Sequence, residues 1–273
     1  MKKIIFYTLI AFLFLGCTTK VTTKTINNKS LELLTKYGID ENSLTKKGNF
    51  YFYILQTSDG FKILKFNKNY NLVWQKLFKH PINIVKTKIK DNIYVLGYDE
   101  VTNRVVFLTF DLNGNLKSKK YYGKKYDLAR DFIIINETPF IAITHYNNNK
   151  SDIIIYGKKP IKITSNQKKD VSFIKKFNSN LLIVGTVFNK NEDVLVVYKT
   201  LDNKLIWEKA IDFGMDERVL DVDIKDNIIH LKVTSTDSMG EEKKYLIKID
   251  KNGKIIEIKK DMEFKRLPHH FRT

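Results

Sequence analysis

Cysteine is nearly absent from this chain: Cys17 is the only one in 273 residues. An internal disulfide is therefore impossible, and metal sites built on several thiolates are excluded. Any fold must stand on its apolar core alone. Glycine (12 residues) and proline (4 residues) are also scarce. No Gly-x-Ser-x-Gly, Walker or dinucleotide fingerprint occurs. Arginine numbers five (Arg104, Arg130, Arg218, Arg266 and Arg272) although the formal charge is +18. Base-specific readout leans on arginine forks, so a charge made almost wholly of lysine argues against nucleic acid as a partner. The longest apolar run, Ile4 to Leu15, falls short of the ~20 residues that a membrane-spanning helix needs.

What is present begins at the N-terminus. Lys2 and Lys3 precede the apolar stretch IIFYTLIAFLFL, and Gly16 offers the small residue that a signal peptidase requires before a cut. Cys17 follows directly. Phe14-Leu15-Gly16-Cys17 resembles the lipobox of bacterial lipoproteins, with Phe14 where the family usually carries an aliphatic residue. The resemblance implies cleavage before Cys17, acylation of its sulfur and residence in the bacterial cell envelope. Thr18, not Asp, follows the cysteine, the outer-membrane-directed pattern where a cell has two membranes. More than one acyl chain anchors a protein stably without a span. An ordinary secretory signal with a chance cysteine, or a short uncleaved anchor, is the other reading. Removing Lys2 and Lys3 leaves a charge of +16 on residues 17–273, read either as a solvated lysine surface or as attraction to anionic lipid or surface polymer.

From residue 48 to 260 the chain is a series of short runs rich in Ile, Val, Tyr and Phe, separated by polar turns. Asn67–Trp74, Asp111–Ser118, Thr200–Trp207 and Asp250–Glu257 are parallel segments, with a weaker copy at Gly157–Ile161. The steps are close to 44 residues: Asn67 to Asp111 is 44, Trp74 to Trp207 is 133, and Gly97 to Gly185 is 88. A repeat of 40–45 residues with four strand signals predicts an all-β fold, a β-propeller of about five four-stranded blades. The blades are expected near 48–78, 82–122, 127–164, 170–210 and 217–260, the first without an innermost strand. Val85–Ile89, Asp131–Ile135, Val171–Phe177 and Val219–Ile224 are the expected innermost strands. Closure is expected from Val21–Ile26 or Glu263–Leu267, because an open edge invites aggregation. Residues 17–47 read as a tether and a short helix from Ser30 to Tyr37, capped by Ser30 and ended by Gly38; residues 261–273 read as a tail. A two-sheet sandwich is the alternative fold.

The strand–turn–strand unit with its Gly/Asn-x-Leu/Ile-x-Trp signature resembles the repeats of bacterial quinoprotein-like and other propeller lipoproteins. The resemblance covers residues 48–260, and its tryptophan stands in two of five copies. It implies architecture; some members of that group bind a quinone and many are scaffolds, and no cofactor-specific constellation is present here to carry over.

Candidate chemistry is thin. Asp111-Leu112-Asn113-Gly114-Asn115 looks like half of a calcium loop but lacks the distal carboxylate, and reads as a hairpin turn. Asp127, Asp131, Asp170, Asp216, Asp221 and Asp223 stand before or in innermost strands, where paired carboxylates at the channel would suit glycoside hydrolysis. Asp127, Asp170 and Asp216 recur at similar points in their blades, which fits a repeated turn or cap better than a catalytic pair. The histidines, His80, His145, His230, His269 and His270, show no metal-ligand spacing beyond the His269-His270 pair at the terminus. Trp74 and Trp207 are expected to anchor packing between blades, and Ser235–Lys244 to form an exposed loop. No catalytic, metal or cofactor residue is therefore assigned. The expectation is a lipid-anchored binding or assembly scaffold that meets the membrane through Cys17 and a protein or anionic polymer through its propeller. An envelope glycan-active enzyme is the alternative.

Overall fold

The structure is a computed structural model that describes residues 28–147 and 150–260. Cys17 and the expected closing segments lie outside the described residues. Two compact units divide the chain, residues 1–43 and 44–273. In the first, helix α1 (Asn28–Tyr37) precedes a 3-10 turn at Glu41–Ser43. The helix begins two residues earlier than its pattern suggests, so Ser30 lies in its first turn and is not its cap. Gly38, at φ +64°, ends it in the left-handed conformation that glycine adopts without penalty. Among the described residues no helix is long and apolar enough to cross a membrane.

The second unit is a five-bladed β-propeller. Each blade is a four-stranded antiparallel meander in simple strand order. Blade 1 comprises β1 (Thr45–Lys47), β2 (Phe50–Thr57), β3 (Gly60–Asn67) and β4 (Leu72–Lys79). Blade 2 comprises β5 (Ile82–Ile89), β6 (Ile93–Asp99), β7 (Arg104–Phe110) and β8 (Leu116–Tyr122). Blade 3 comprises β9 (Leu128–Ile135), β10 (Thr138–Asn147), β11 (Lys150–Tyr156) and β12 (Pro160–Ile163). Blade 4 comprises β13 (Lys168–Phe177), β14 (Asn180–Phe188), β15 (Glu192–Lys199) and β16 (Leu205–Ile211). Blade 5 comprises β17 (Asp216–Lys225), β18 (Ile228–Thr236), β19 (Glu242–Ile249) and β20 (Ile255–Lys260). Blade 1 does possess an innermost strand, contrary to the sequence reading. Thr45–Lys47 pairs with Phe50–Phe52, but three polar residues carry no apolar alternation to announce it.

The middle strands read as unbroken apolar runs because both faces of each sheet are covered. In β14, Leu181 and Ile183 pack into a core shared with blade 3. Leu182 and Val184, between them, pack into a core shared with blade 5. Equivalent cores join blades 1 and 2 around Phe52, Phe61 and Val95, and blades 2 and 3 around Leu96, Phe107 and Phe132. Among the described residues no such core joins blade 5 to blade 1. Apart from the partly buried Leu246, the far side of blade 5 is mostly polar: Asp223 stands opposite His230, His230 opposite Lys248, and Lys248 opposite Glu257.

Each of the four complete innermost strands carries one β-bulge, at Val85, Arg130, Ser172 and Leu220. Gly97 and Gly185 face two of these bulges. A Cβ on Gly185 would stand 1.9 Å from the Asp170 carbonyl oxygen, and one on Gly97 2.6 Å from that of Asn83. The 88-residue spacing of these glycines is thus a close backbone approach, repeated every second blade.

The turns between third and fourth strands explain the rest of the visible repeat. Asp111 Oδ1 accepts hydrogen bonds from the Asn113 and Asn115 amides, as Asn67 does from Asn69 and Asn71 and Asp250 from Asn252 and Lys254. These side chains are occupied in closing turns. Trp74 of blade 1 lies against Gly114 in the turn of blade 2, and Trp207 of blade 4 against Gly253 in the turn of blade 5. The Trp207 indole also donates to the Lys251 carbonyl at 3.0 Å. Blade 3 has no such tryptophan, and the space it would fill against the turn of blade 4 is a groove of about 600 Å³ lined by Phe140, Lys159, Pro160, Leu201 and Asn203.

Candidate functional site: a polar cleft on the linker face

The meander gives each blade two unlike ends. One end carries the tight turns just described. The other carries the linkers that enter each innermost strand and the hairpins between second and third strands; it is called the linker face here. One pair of facing positions recurs there: Ile82 and Asp99, Asp127 and His145, Lys169 and Val187, Glu217 and Ser235. Asp170 and Asp216 stand one position to either side of it. They therefore do not repeat Asp127, since a one-residue step turns a side chain to the opposite face of the sheet.

Three of these four positions bury an ionisable group beside a partner of the opposite type, acid against base. Asp99 Oδ2 lies 2.7 Å from His80 Nε2 and 3.4 Å from Lys119 Nζ, and accepts the Tyr121 hydroxyl. Burial alone would raise the Asp99 carboxyl, but the Tyr121 and His80 hydrogen bonds prevail and hold it well below the usual carboxylate range. Asp127 Oδ1 lies 2.7 Å from His145 Nδ1. Lys169 Nζ lies 2.7 Å from Glu208 Oε1.

Asp131 is buried at the junction of three innermost strands. Its Oδ1 lies 2.8 Å from Lys86 Nζ and accepts from its own neighbour, the Phe132 amide; its Oδ2 accepts the Ile174 amide at 3.1 Å. Lys88 Nζ stands 3.6 Å away. Burial pulls the Lys88 ammonium below its ordinary value, against the attraction of Asp131.

The open part of this face is a cleft over blades 3 to 5. Arg130, Asp170, Ser172, Thr186, Glu192 and Arg218 line about 490 Å³ of it. A contiguous 290 Å³ shares Asp170, Thr186 and Glu192 and adds Tyr146, Lys168 and Phe188. The bulge aims Arg130 across the blade boundary, where its Nη2 donates to Asp170 Oδ2 at 3.0 Å. Thr144 Oγ1 donates to the other Asp170 oxygen and accepts the Val171 amide. Arg218 Nε faces Glu192 Oε2 at 3.8 Å, and the Glu192 amide donates to Asp216 Oδ1. Tyr146 and Phe188 are exposed at the rim. Burial, with Asp170 adding to it, raises the Tyr146 hydroxyl.

Of the aspartates singled out in the sequence, only Asp170 lines this cleft. Asp127 is buried against His145 and Asp131 against Lys86, and Asp216 holds a strand end. Asp221 and Asp223 lie on the far side of blade 5, opposite Lys232 and His230, because the Leu220 bulge resets their register. The expected loop at Ser235–Lys244 shrinks to residues 237–241, since Ser235 pairs with Lys243 in the ladder. Arg130, Glu192 and Arg218 went unnoticed in the sequence. The signal was the arginine count itself, for two of only five arginines meet at one cleft.

Similarity to solved structures is confined to the fold. Hydrazine synthase of Kuenenia stuttgartiensis superposes with a TM-score of 0.55 at 10% identity, over 78% of this chain and 62% of that one. A prolyl endopeptidase gives 0.52 at 8% identity, over 79% of this chain and 34% of that one. The chain therefore spans about three fifths of the first protein and a third of the second. These neighbours are β-propeller proteins. No protein-family model and no curated protein sequence matches the chain.

Proposed function

We propose that this chain is a lipid-anchored propeller of the bacterial cell envelope, held to the membrane by acyl groups on Cys17, and that it serves as a non-catalytic binding or assembly scaffold. Its partner, an envelope protein or an anionic surface polymer, contacts the polar cleft on the linker face. The observation that carries this reading is the state of the cleft's charges. Both of its acids, Asp170 and Glu192, face arginines. A glycosidase needs one carboxyl kept as an acid and a second, ionised one flanking an open space; this cleft instead presents matched charges, a polar floor and exposed aromatic rims, which suit recognition. The lysine surface, which leaves residues 17–273 with a net charge of +16 once Lys2 and Lys3 are removed from the +18 of the full chain, supports approach to anionic partners.

A photoreactive residue replacing Ser172 in the lipidated protein tests the reading in intact cells. A discrete heavier adduct is expected, lost when Arg130→Glu is added. Absence of any adduct, or glycan hydrolysis by the purified protein that Asp170→Asn removes, contradicts the scaffold and favours the enzyme. Cys17→Ala is expected to move the protein out of the detergent phase; unchanged partition removes the lipid from the account.

A further inference from the structure

The fourth recurring position on the linker face breaks the rule of paired charges. Glu217 is fully buried, 0% exposed, and its neighbour across the blade boundary, Asp193, is 2% exposed. Asp212, exposed in the linker between β16 and β17, completes a triad in which one oxygen from each carboxylate lies within 4.8 Å of the others. Among the described residues no lysine, arginine or histidine pairs with any of the three. Each carboxylate is held by a neighbour: Asn189 donates to Asp193 Oδ2, the Gly214 amide to Asp212 Oδ1, and Ser235 to Glu217 Oε1 at 3.0 Å, with the Met215 backbone also engaging Glu217. Among the described residues the other oxygens of the two buried acids, Asp193 Oδ1 and Glu217 Oε2, have no hydrogen-bond partner. Buried acceptors are rarely left so, and two beside a third carboxylate need a positive charge that the described residues do not supply.

We propose that Asp193, Asp212 and Glu217 bind a hard divalent cation, calcium by the chemistry of its donors, at the boundary of blades 4 and 5. The donors are all oxygen, with no imidazole or thiolate, which excludes a preference for zinc or copper. Three oxygens within 4.8 Å of one another are close enough to share one ion held at 2.3–2.6 Å. Asp212 provides the opening to solvent, and the two buried acids the floor. The site also has a structural consequence. Asp193 follows Glu192, and Glu217 precedes Arg218, so strand alternation sends one member of each pair to the ion and the other to the polar cleft. Binding ties the Asn189–Asn191 hairpin to the Asp212–Met215 linker and fixes one wall of that cleft.

Isothermal titration calorimetry of the full chain, stripped with chelator and kept in detergent, tests this with calcium chloride alone as the probe. One ion per chain is expected, with a Kd between about 1 µM and 1 mM, together with a rise in Tm on adding calcium. Glu217→Gln is expected to abolish both responses. Asp212→Asn, an exposed change that leaves the core intact, is expected to weaken binding by about tenfold or more. The proposal is overturned if the folded wild type shows no saturable calcium binding up to about 10 mM, well beyond the range of extracellular calcium modules. It is equally overturned if Asp212→Asn binds as wild type does.

Discussion

The two ends of the propeller are built from the same meander yet obey different rules. At the turn end, a side-chain oxygen closes the hairpins between third and fourth strands of blades 1, 2, 4 and 5, and a tryptophan lies on a glycine of the next blade wherever both are present. The interactions are local or step from blade to blade at a constant interval. At the linker end, a recurring position holds Asp99 facing Ile82 in blade 2, then Asp127, Lys169 and Glu217, each with a different partner. The turn end makes the blades alike; the linker end makes them differ. Loops and strand ends held by a rigid scaffold are where binding residues collect, and the cleft is at the end that varies.

This division can be broken from either side. The largest loss of stability is expected from Trp207→Ala, about 3 kcal/mol from lost packing against Gly253 and Tyr198. Chemical denaturation measures it, and the linker-face adduct should persist in the folded fraction. Asp131→Ala is expected to cost about 2 kcal/mol: it strands Lys86 and Lys88, but both are partly exposed and water offsets part of the loss. Asp111→Ala, which removes an exposed acceptor for two turn amides, is expected to lower stability least of the three.

Acid sharpens the comparison further. Asp99 is held below its unfolded pKa, so its contribution is complete above the unfolded carboxylate range and is lost as pH falls toward the folded value. The stability of Asp99→Asn is expected to fall less steeply than that of wild type below about pH 4. Asp111, Asp237 and Glu257 are lowered in the same direction, so a shallow acid limb remains in the variant. At the alkaline end burial pushes the Tyr98 hydroxyl up to about 12, so a late tyrosinate absorbance step is expected. Its stabilising effect is present below about pH 10 and fades as pH rises through the folded value.

What could be read in the sequence follows the same division. The five blades, their 44-residue step and the tryptophan anchors were legible because turn chemistry and close packing demand the same residue type at the same interval. Gly97 and Gly185 were visible as a repeat, and their cause, the bulge opposite each, needed the register. The three-residue β1 was invisible because Thr45, Lys46 and Lys47 offer no hydrophobic pattern. The cleft was illegible for a related reason. Arg130 reaches Asp170 only because a bulge turns it across a blade boundary, and Glu192 meets Arg218 from the edge of the next blade. Asp170 and Asp216 seemed to repeat Asp127, but a single step in register separates each from it. The acidic triad announced itself only faintly, as Asn189, Asn191 and Asp193 at alternate positions. Its two remaining ligands lie about 20 residues on and depend on the packing of blades 4 and 5.

The most direct test sets one variant from each end against the other with the same pair of readouts. Arg130→Ala is expected to lower stability by less than about 1 kcal/mol, as a half-exposed ion pair should, and to abolish the adduct formed from position 172. Trp207→Ala is expected to lower stability several times more and to leave that adduct in place. If Arg130→Ala keeps the adduct while Trp207→Ala loses it in protein that is still folded, recognition belongs to the turn end and the account is wrong.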